Sequence, residues 1–183
     1  MNNLIEIRLH GRGGQGTVTA AELIAMAAFY NDKEVQAFPS FGVERRGAPV
    51  KAFVRISEEP IRLREQIYDP DYIIVQDSSL IETDASVLQG ATKDVIFLIN
   101  SEKEVWPDIK AKQIVTVPAT KIALDKIGKP FFNTALVGAF AALSRLISEQ
   151  AVEKAIRKRF ANKPELVESN VKAMKQAFLL VKN

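Results

Sequence analysis

Two uninterrupted apolar runs, Tyr72 to Asp77 (YIIVQD) and Val95 to Asn100 (VIFLIN), constrain the fold of this chain more than any other feature. Each has strand length and is rich in Ile and Val, without the polar alternation that would let one face meet water. Strands of this kind lie inside a sheet covered on both faces, the usual setting of parallel α/β architecture. Strands and helices alternate around them. Leu4 to Leu9, Glu34 to Phe38, Val50 to Ile56 and Ile114 to Val117 read as further strands. Thr17 to Tyr30 and Ser79 to Leu88 read as helices, and everything after Pro118 looks helical. The expected fold class is α/β, a layered α/β/α domain with a mostly parallel sheet and a helical C-terminal part. At ~150 residues per domain, the 183 residues make a single domain, 1–183, with no internal repeat or low-complexity segment.

One connection breaks the parallel pattern. Only eleven residues separate Phe38 from Val50, and they read as loop. A parallel crossover needs a dozen or more residues and usually a helix, so the third strand is expected to be antiparallel. The first strand alternates Ile5, Ile7 and Leu9 with Glu6 and Arg8, and its charged face is expected to be solvated or to meet a partner. In the last helix Val167, Val171, Met174, Phe178 and Val181 form one apolar stripe, expected to pack on the domain body. The basic run Lys154 to Lys163 reads as a solvated helix face.

Composition narrows the chemistry. Cysteine is absent and the only histidine is His10. Disulfides, thiolate-held Fe–S clusters, cysteine nucleophiles and sites built on Cys or several His are therefore excluded from these residues. Any redox or acyl-transfer centre must be a bound cofactor or lie on another chain. His10 is expected to be packed and hydrogen-bonded rather than catalytic. A formal net charge of +3 is too small an excess to argue for nucleic-acid binding. The N-terminus has no basic segment leading into an apolar one, and the longest apolar stretch, Ala135 to Leu143, is far short of the ~18 to 20 residues of a membrane span. The expected setting is cytoplasmic, without contact to membrane or nucleic acid.

Two motifs carry chemistry. Gly11-Arg-Gly-Gly-Gln-Gly16 follows a strand and opens a helix, where backbone N–H groups and the helix dipole favour a phosphate or carboxylate. The pattern also fits G-x-G-x-x-G of dinucleotide-binding folds. However, the second strand ends in Gln36-Ala-Phe-Pro39, without the acidic residue that binds a ribose there. A tight packing turn is the third reading. The second motif is Phe38-Pro-Ser-Phe-Gly-Val-Glu-Arg-Arg-Gly-Ala-Pro49, in which Arg45 and Arg46 can each grip phosphate through two N–H groups. Surface ion pairing with Glu44 is the alternative. In a parallel sheet both loops emerge at the carboxyl edge and together form a polyphosphate pocket. Asp77 and Ser78 end a strand at the same edge, so a site role is open to them. Asp69-Pro-Asp71 reads as turn chemistry.

GRGGQG near the start, FPSFGVERRGAPV about 27 residues later, DPDYIIVQD and a late FFNTALVGA helix, in this order over nearly the whole chain, resemble the gamma subunit of 2-oxoacid:ferredoxin oxidoreductases, of which the pyruvate-specific enzyme (pyruvate synthase) is the most familiar. Many members carry two glycines after the arginine, where this chain has Gly47 and Ala48.

The resemblance implies a cluster-free subunit that is inactive alone. Thiamine diphosphate, Mg and Fe–S clusters lie on the partner alpha, beta and delta subunits, electrons pass through the complex to ferredoxin, and coenzyme A accepts the acyl group at the gamma region. Carried onto this chain, Gly11, Gly13, Gly14, Gln15, Gly16 and Thr17 form the phosphate loop and Arg45 and Arg46 are phosphate partners. Asn100 and Asn133 are further candidates. The residues alone leave Asn133 open as a helix N-cap and Asn100 as a turn residue. No catalytic residue and no metal ligand is assigned. A Rossmann-type nucleotide domain and a purely structural subunit remain as alternatives.

Overall fold

The computed structural model describes residues 4–40 and 46–182. In chain order they form β1 (Ile5–Arg12), α1 (Thr17–Phe29), β2 (Glu34–Pro39), β3 (Pro49–Ser57), β4 (Tyr72–Val75), α2 (Leu80–Thr83), a 3₁₀ turn (Ala85–Val87), β5 (Ile96–Asn100), β6 (Gln113–Val117), α3 (Ala119–Ile127), α4 (Asn133–Ser144), α5 (Glu149–Arg159) and α6 (Pro164–Lys182). One six-stranded sheet runs β2-β3-β1-β4-β5-β6. β1, β4, β5 and β6 are mutually parallel, and β3 is antiparallel to both of its neighbours, as the short connection requires. β2 therefore points the same way as β1. The segments that follow β1, β2, β4, β5 and β6 all leave from one edge of the sheet.

All the long helices lie on one face. Ile7, Leu9, Val54, Ile74, Leu98 and Val117 of the sheet pack there against α1, α3, α4, α5 and α6. The other face is thinly covered: Ile73, Val75, Phe97 and Ile99 meet Leu80, Val87 and Ile109 from α2, the 3₁₀ turn and the irregular chain after β5. The helix expected over Ser79 to Leu88 is interrupted at Asp84. This residue adopts an extended backbone and accepts a hydrogen bond from the Ser86 N–H at 3.0 Å. A short polar side chain competes here with the helical backbone bond and wins.

The stripe of α6 is internal packing. Val171 and Met174 are buried, and Val167, Phe178 and Val181 pack on the same core. The crossing of α4 and α6 depends on Gly138, because a Cβ there would run into the backbone carbonyl of Met174. A backbone atom in the middle of a helix cannot swing aside. Gly138→Ala is expected to force the helices apart and destabilise the chain by about 1–3 kcal/mol, with Gly138→Val worse. Thermal unfolding of both variants checks this, and an unchanged midpoint for Gly138→Val would refute the close-approach account.

The arginines on the charged face of β1 and of its neighbour β3 are buried by the chain itself rather than solvated. Arg8 is 4% exposed and Arg55, beside it on β3, is 1% exposed. Arg8 donates to the carbonyls of Tyr68 and Val87 at 3.3 and 3.2 Å, and to Nε2 of His10 at 2.9 Å. Arg55 pairs with Glu6 at 2.7 Å, donates to Gln36 at 3.0 Å and lies over the Phe38 ring. Two buried arginines thus tie the irregular chain after β3 onto the sheet. Their charges are tolerable there because guanidinium N–H groups find acceptors inside the protein. His10 is buried, and burial, followed by the charges of Arg8 and Lys51, pushes its pKa down to about 3. It is a neutral, hydrogen-bonded core residue, as expected.

Candidate phosphate-binding site at the carboxyl edge

β1 runs three residues further than the Leu4 to Leu9 strand read from its apolar alternation. Gly11 and Arg12 are strand residues, opposite Val50 and Pro49 of β3, and only Gly13 to Gly16 form the loop. The antiparallel pairing continues beyond the strands: Gly13 N–H donates to the Ala48 carbonyl at 2.8 Å and Gly47 N–H to the Gly13 carbonyl at 3.0 Å. The two motif loops are therefore stitched side by side. Arg46 is exposed, and its Cγ lies 4.0 Å from where a Cβ on Gly14 would stand. Arg45 lies outside the described residues.

Gly16 ends the loop with φ 75° and precedes α1. The Asn133 amide occupies the space of its missing Cβ and donates to the Gly16 carbonyl at 3.3 Å. Both the left-handed backbone and the close approach require glycine. Asn133 is consequently not an N-cap; it is the first helical residue of α4, facing the glycine loop. Neither α1 nor α4 has a side-chain cap or an acidic residue in its first turn. Uncapped N-termini present free N–H groups and partial positive charge.

Both helix starts open on one cavity of about 430 Å³, lined among others by Gly14, Gln15, Gly16, Asn133, Arg159 and Lys163. Arg159 and Lys163 come from the corner between α5 and α6, the basic run read from sequence as a solvated face. Their spacing alone carries no sign of the glycine loop, which only the chain's return brings near. Phe131 lines one wall, and deeper in, the Thr134 hydroxyl donates to Asn170 Oδ1 at 3.0 Å.

Other candidates are spent within the chain. Thr17 is buried and donates to Gln76 Oε1 at 2.6 Å, with both side chains crowding the space above Gly11. Asn100 ends β5, with β4 between it and the glycine loop. Its amide donates to the Gln76 carbonyl at 3.0 Å and the Thr120 hydroxyl at 2.8 Å, and accepts from Thr120 N–H at 3.1 Å, tying β5 to the start of α3.

Beneath the loops sits a network that the motif reading did not anticipate. Arg12 Nε contacts Asp77 Oδ2 at 2.9 Å, Nη1 donates to the Gly47 carbonyl at 3.2 Å, and Nη2 to Ser79 Oγ at 2.9 Å. Gln15 joins it, donating to Asp77 at 3.1 Å and accepting from the Arg12 N–H at 2.8 Å. Burial raises the Asp77 carboxyl, but hydrogen bonds from Ser79, Gln15 and Arg12 outweigh it and hold the pKa below its ordinary value. The carboxylate stays charged at neutral pH.

A mixed sheet with an arginine-braced glycine loop, an antiparallel third strand and helices gathered on one face matches a known architecture. Residues 6–180 match the model of the pyruvate ferredoxin/flavodoxin oxidoreductase family. The chain belongs to that family. The gamma subunit common to the pyruvate and ketoisovalerate oxidoreductases of Pyrococcus abyssi is 52% identical over 180 residues, covering 96% of each chain. Pyruvate synthase subunit PorC of Methanocaldococcus jannaschii is 53% identical over 175 residues, also with 96% of each covered. The crystal structure of pyruvate oxidoreductase subunit PORC from Thermotoga maritima superposes with a TM-score of 0.83 at 34% identity, covering 97% of this chain and 96% of that one. Within the pyruvate ferredoxin/flavodoxin oxidoreductase family the chain is a gamma-type subunit of a multi-subunit oxidoreductase. The fold also recurs within a longer chain, the 2-oxoglutarate:ferredoxin oxidoreductase of Magnetococcus marinus with 2-oxoglutarate, coenzyme A and succinyl-CoA bound (TM-score 0.80, 22% identity, 32% of that chain). No described helix is long and apolar enough to cross a membrane.

Proposed function

We propose that this chain, as one gamma-type domain over residues 1–183, is the coenzyme A-handling subunit of a cytoplasmic, ferredoxin-dependent 2-oxoacid oxidoreductase. The reaction is 2-oxoacid, coenzyme A and oxidised ferredoxin giving acyl-CoA, CO2 and reduced ferredoxin. The observation that supports this most directly is the convergence of two uncapped helix N-termini, Arg159 and Lys163 on one cavity. Coenzyme A ends in a 3′-phosphorylated ADP, and such a cavity suits its phosphates: backbone N–H groups on one side, cationic side chains on the other. Gly14 to Gly16 and Asn133 line the backbone half and Arg46 adds charge beside Gly14; Gly13 continues the loop, and Arg45 is proposed as a further phosphate partner from the sequence alone. Asn100 and Thr17 shape the edge from beneath. With no cysteine in this chain to hold an Fe–S cluster, we assign the clusters to the alpha, beta and delta partners, and thiamine diphosphate and Mg to them on the family resemblance alone.

The choice of 2-oxoacid belongs to those partners as well. A Pyrococcus abyssi relative is the gamma subunit common to two oxidoreductases of different specificity, which fits a subunit that serves the shared acceptor rather than the substrate. Pyruvate is the 2-oxoacid we favour. The dinucleotide reading has less support, since β2 ends at Pro39 with no acid in its last three residues.

Titration of the assembled enzyme with coenzyme A, dephospho-coenzyme A and NAD tests the proposal. Coenzyme A is expected to bind at least about tenfold more tightly than its dephospho form, the share of one charge-assisted phosphate contact, and Lys163→Ala should shrink that gap. NAD binding at this chain, or a gap untouched by Lys163→Ala and Arg46→Ala alike, would overturn it.

A further inference from the structure

We infer that Arg12 and Asp77 are positioning residues for coenzyme A: their ion pair locks the Gly13–Gly16 loop to the Arg46 loop, so that backbone and arginine halves of the site keep one spacing. The inference rests on the coenzyme A reading of this site.

An arginine within a glycine-rich motif would ordinarily be taken as a phosphate ligand. Here all three guanidinium nitrogens are engaged within the chain: Nε with Asp77, Nη1 with the Gly47 carbonyl and Nη2 with Ser79. The Gly47 contact is the informative one. It reaches from β1 into the second motif, one residue after Arg46, and reinforces the two backbone bonds between Gly13, Gly47 and Ala48. Asp77 lies just beyond β4 and is itself oriented, since its other oxygen accepts from the Ser79 N–H at 3.1 Å and hydroxyl at 2.6 Å. Gln15 then ties the crown of the glycine loop to the same carboxylate. Three separate segments of the carboxyl edge thus share one fork and one carboxylate. The side chains of Arg12 and Asp77 are 29% and 22% exposed, shielded enough to resist screening by salt.

A carboxylate repels phosphate, and both oxygens of Asp77 already accept from Arg12, Gln15 and Ser79, so we assign its influence on the phosphate end of coenzyme A to what it holds. The test uses the assembled oxidoreductase with Asp77→Asn, Arg12→Lys, Arg46→Ala and Lys163→Ala. Asp77→Asn is expected to raise the KM for coenzyme A roughly tenfold, the scale of a small misplacement of binding groups. The coenzyme A-independent decarboxylation half-reaction should be nearly unaffected. Arg12→Lys, which keeps charge but loses the fork, is expected to fall between wild type and Asp77→Asn. A lowered KM in Asp77→Asn would mean that a freed Arg12 grips phosphate itself, and would overturn the inference. So would an unchanged KM, or loss of assembly and of both half-reactions together. If Arg46→Ala or Lys163→Ala raises the KM while Asp77→Asn does not, the positioning role fails and the coenzyme A reading survives. If none of the variants moves it, that reading fails.

Discussion

Replacing Arg46 and Lys163 together by alanine raises the apparent KM for coenzyme A in the assembled enzyme by roughly 10²-fold. Both cations stand by the glycine loop, Arg46 beside Gly14 and Lys163 in the wall of the cavity that Gly14 to Gly16 line. Each charge-assisted contact is worth about 1.5–3 kcal/mol, and a tenfold change in affinity about 1.4 kcal/mol. Two such contacts would exceed 10²-fold if simply added, but both side chains are solvent-exposed and share one ligand, which lowers the sum. Decarboxylation in the absence of coenzyme A is expected to continue at nearly the wild-type rate. Arg46→Lys should recover part of the loss, because the charge remains and the planar fork does not. Steady-state kinetics with coenzyme A as the varied substrate read this directly. A normal KM in a fully assembled double variant rejects the phosphate role of both residues.

Arg8→Met is expected to cost about 3–5 kcal/mol of stability, as several acceptors lose their donor at about 1–3 kcal/mol for each one left buried and unpaired. The methionine fills most of the volume but leaves the carbonyls of Tyr68 and Val87 and the ring of His10 without their donor, the last two buried away from water. Native domains have only roughly 5–15 kcal/mol to lose, so such a variant sits near the limit of folding at elevated temperature. Thermal unfolding should show a midpoint lower by on the order of 10 °C. Arg8→Lys is expected to recover little, since one ammonium cannot reach acceptors spread over two segments. A midpoint within two or three degrees of wild type would show that the far face of the sheet is held by its apolar contacts alone.

Much of this architecture was legible in local pattern. YIIV and IFLI are strands buried on both sides, as their short continuous apolar runs rich in Ile and Val suggest. The antiparallel third strand followed from a loop too short to cross over. The α6 stripe packed inward because its 4, 3, 4, 3 spacing keeps one face apolar. Where reading by pattern failed, a contact distant in sequence decided. Glu6 and Arg8 looked like a wet face, since charge in a strand usually means water. Instead, carbonyls from Tyr68 and Val87, about 60 and 80 residues away, accept the Arg8 protons. Asp84 ended a helix that periodicity alone would have continued.

The chain order of strands and helices, the glycine loop at the start of α1 and the family resemblance were thus settled by the sequence itself, because backbone preference and apolar periodicity act between near neighbours. The binding edge was decided by tertiary structure. Only folding carries Arg159, Lys163 and Asn133 to Gly16, and Asp77 to Arg12, across gaps of 65 residues and more. No local spacing encodes such meetings. They arise when the return of α5 and α6 over the sheet, driven by burial of their apolar faces, brings their polar corners to the glycine loop.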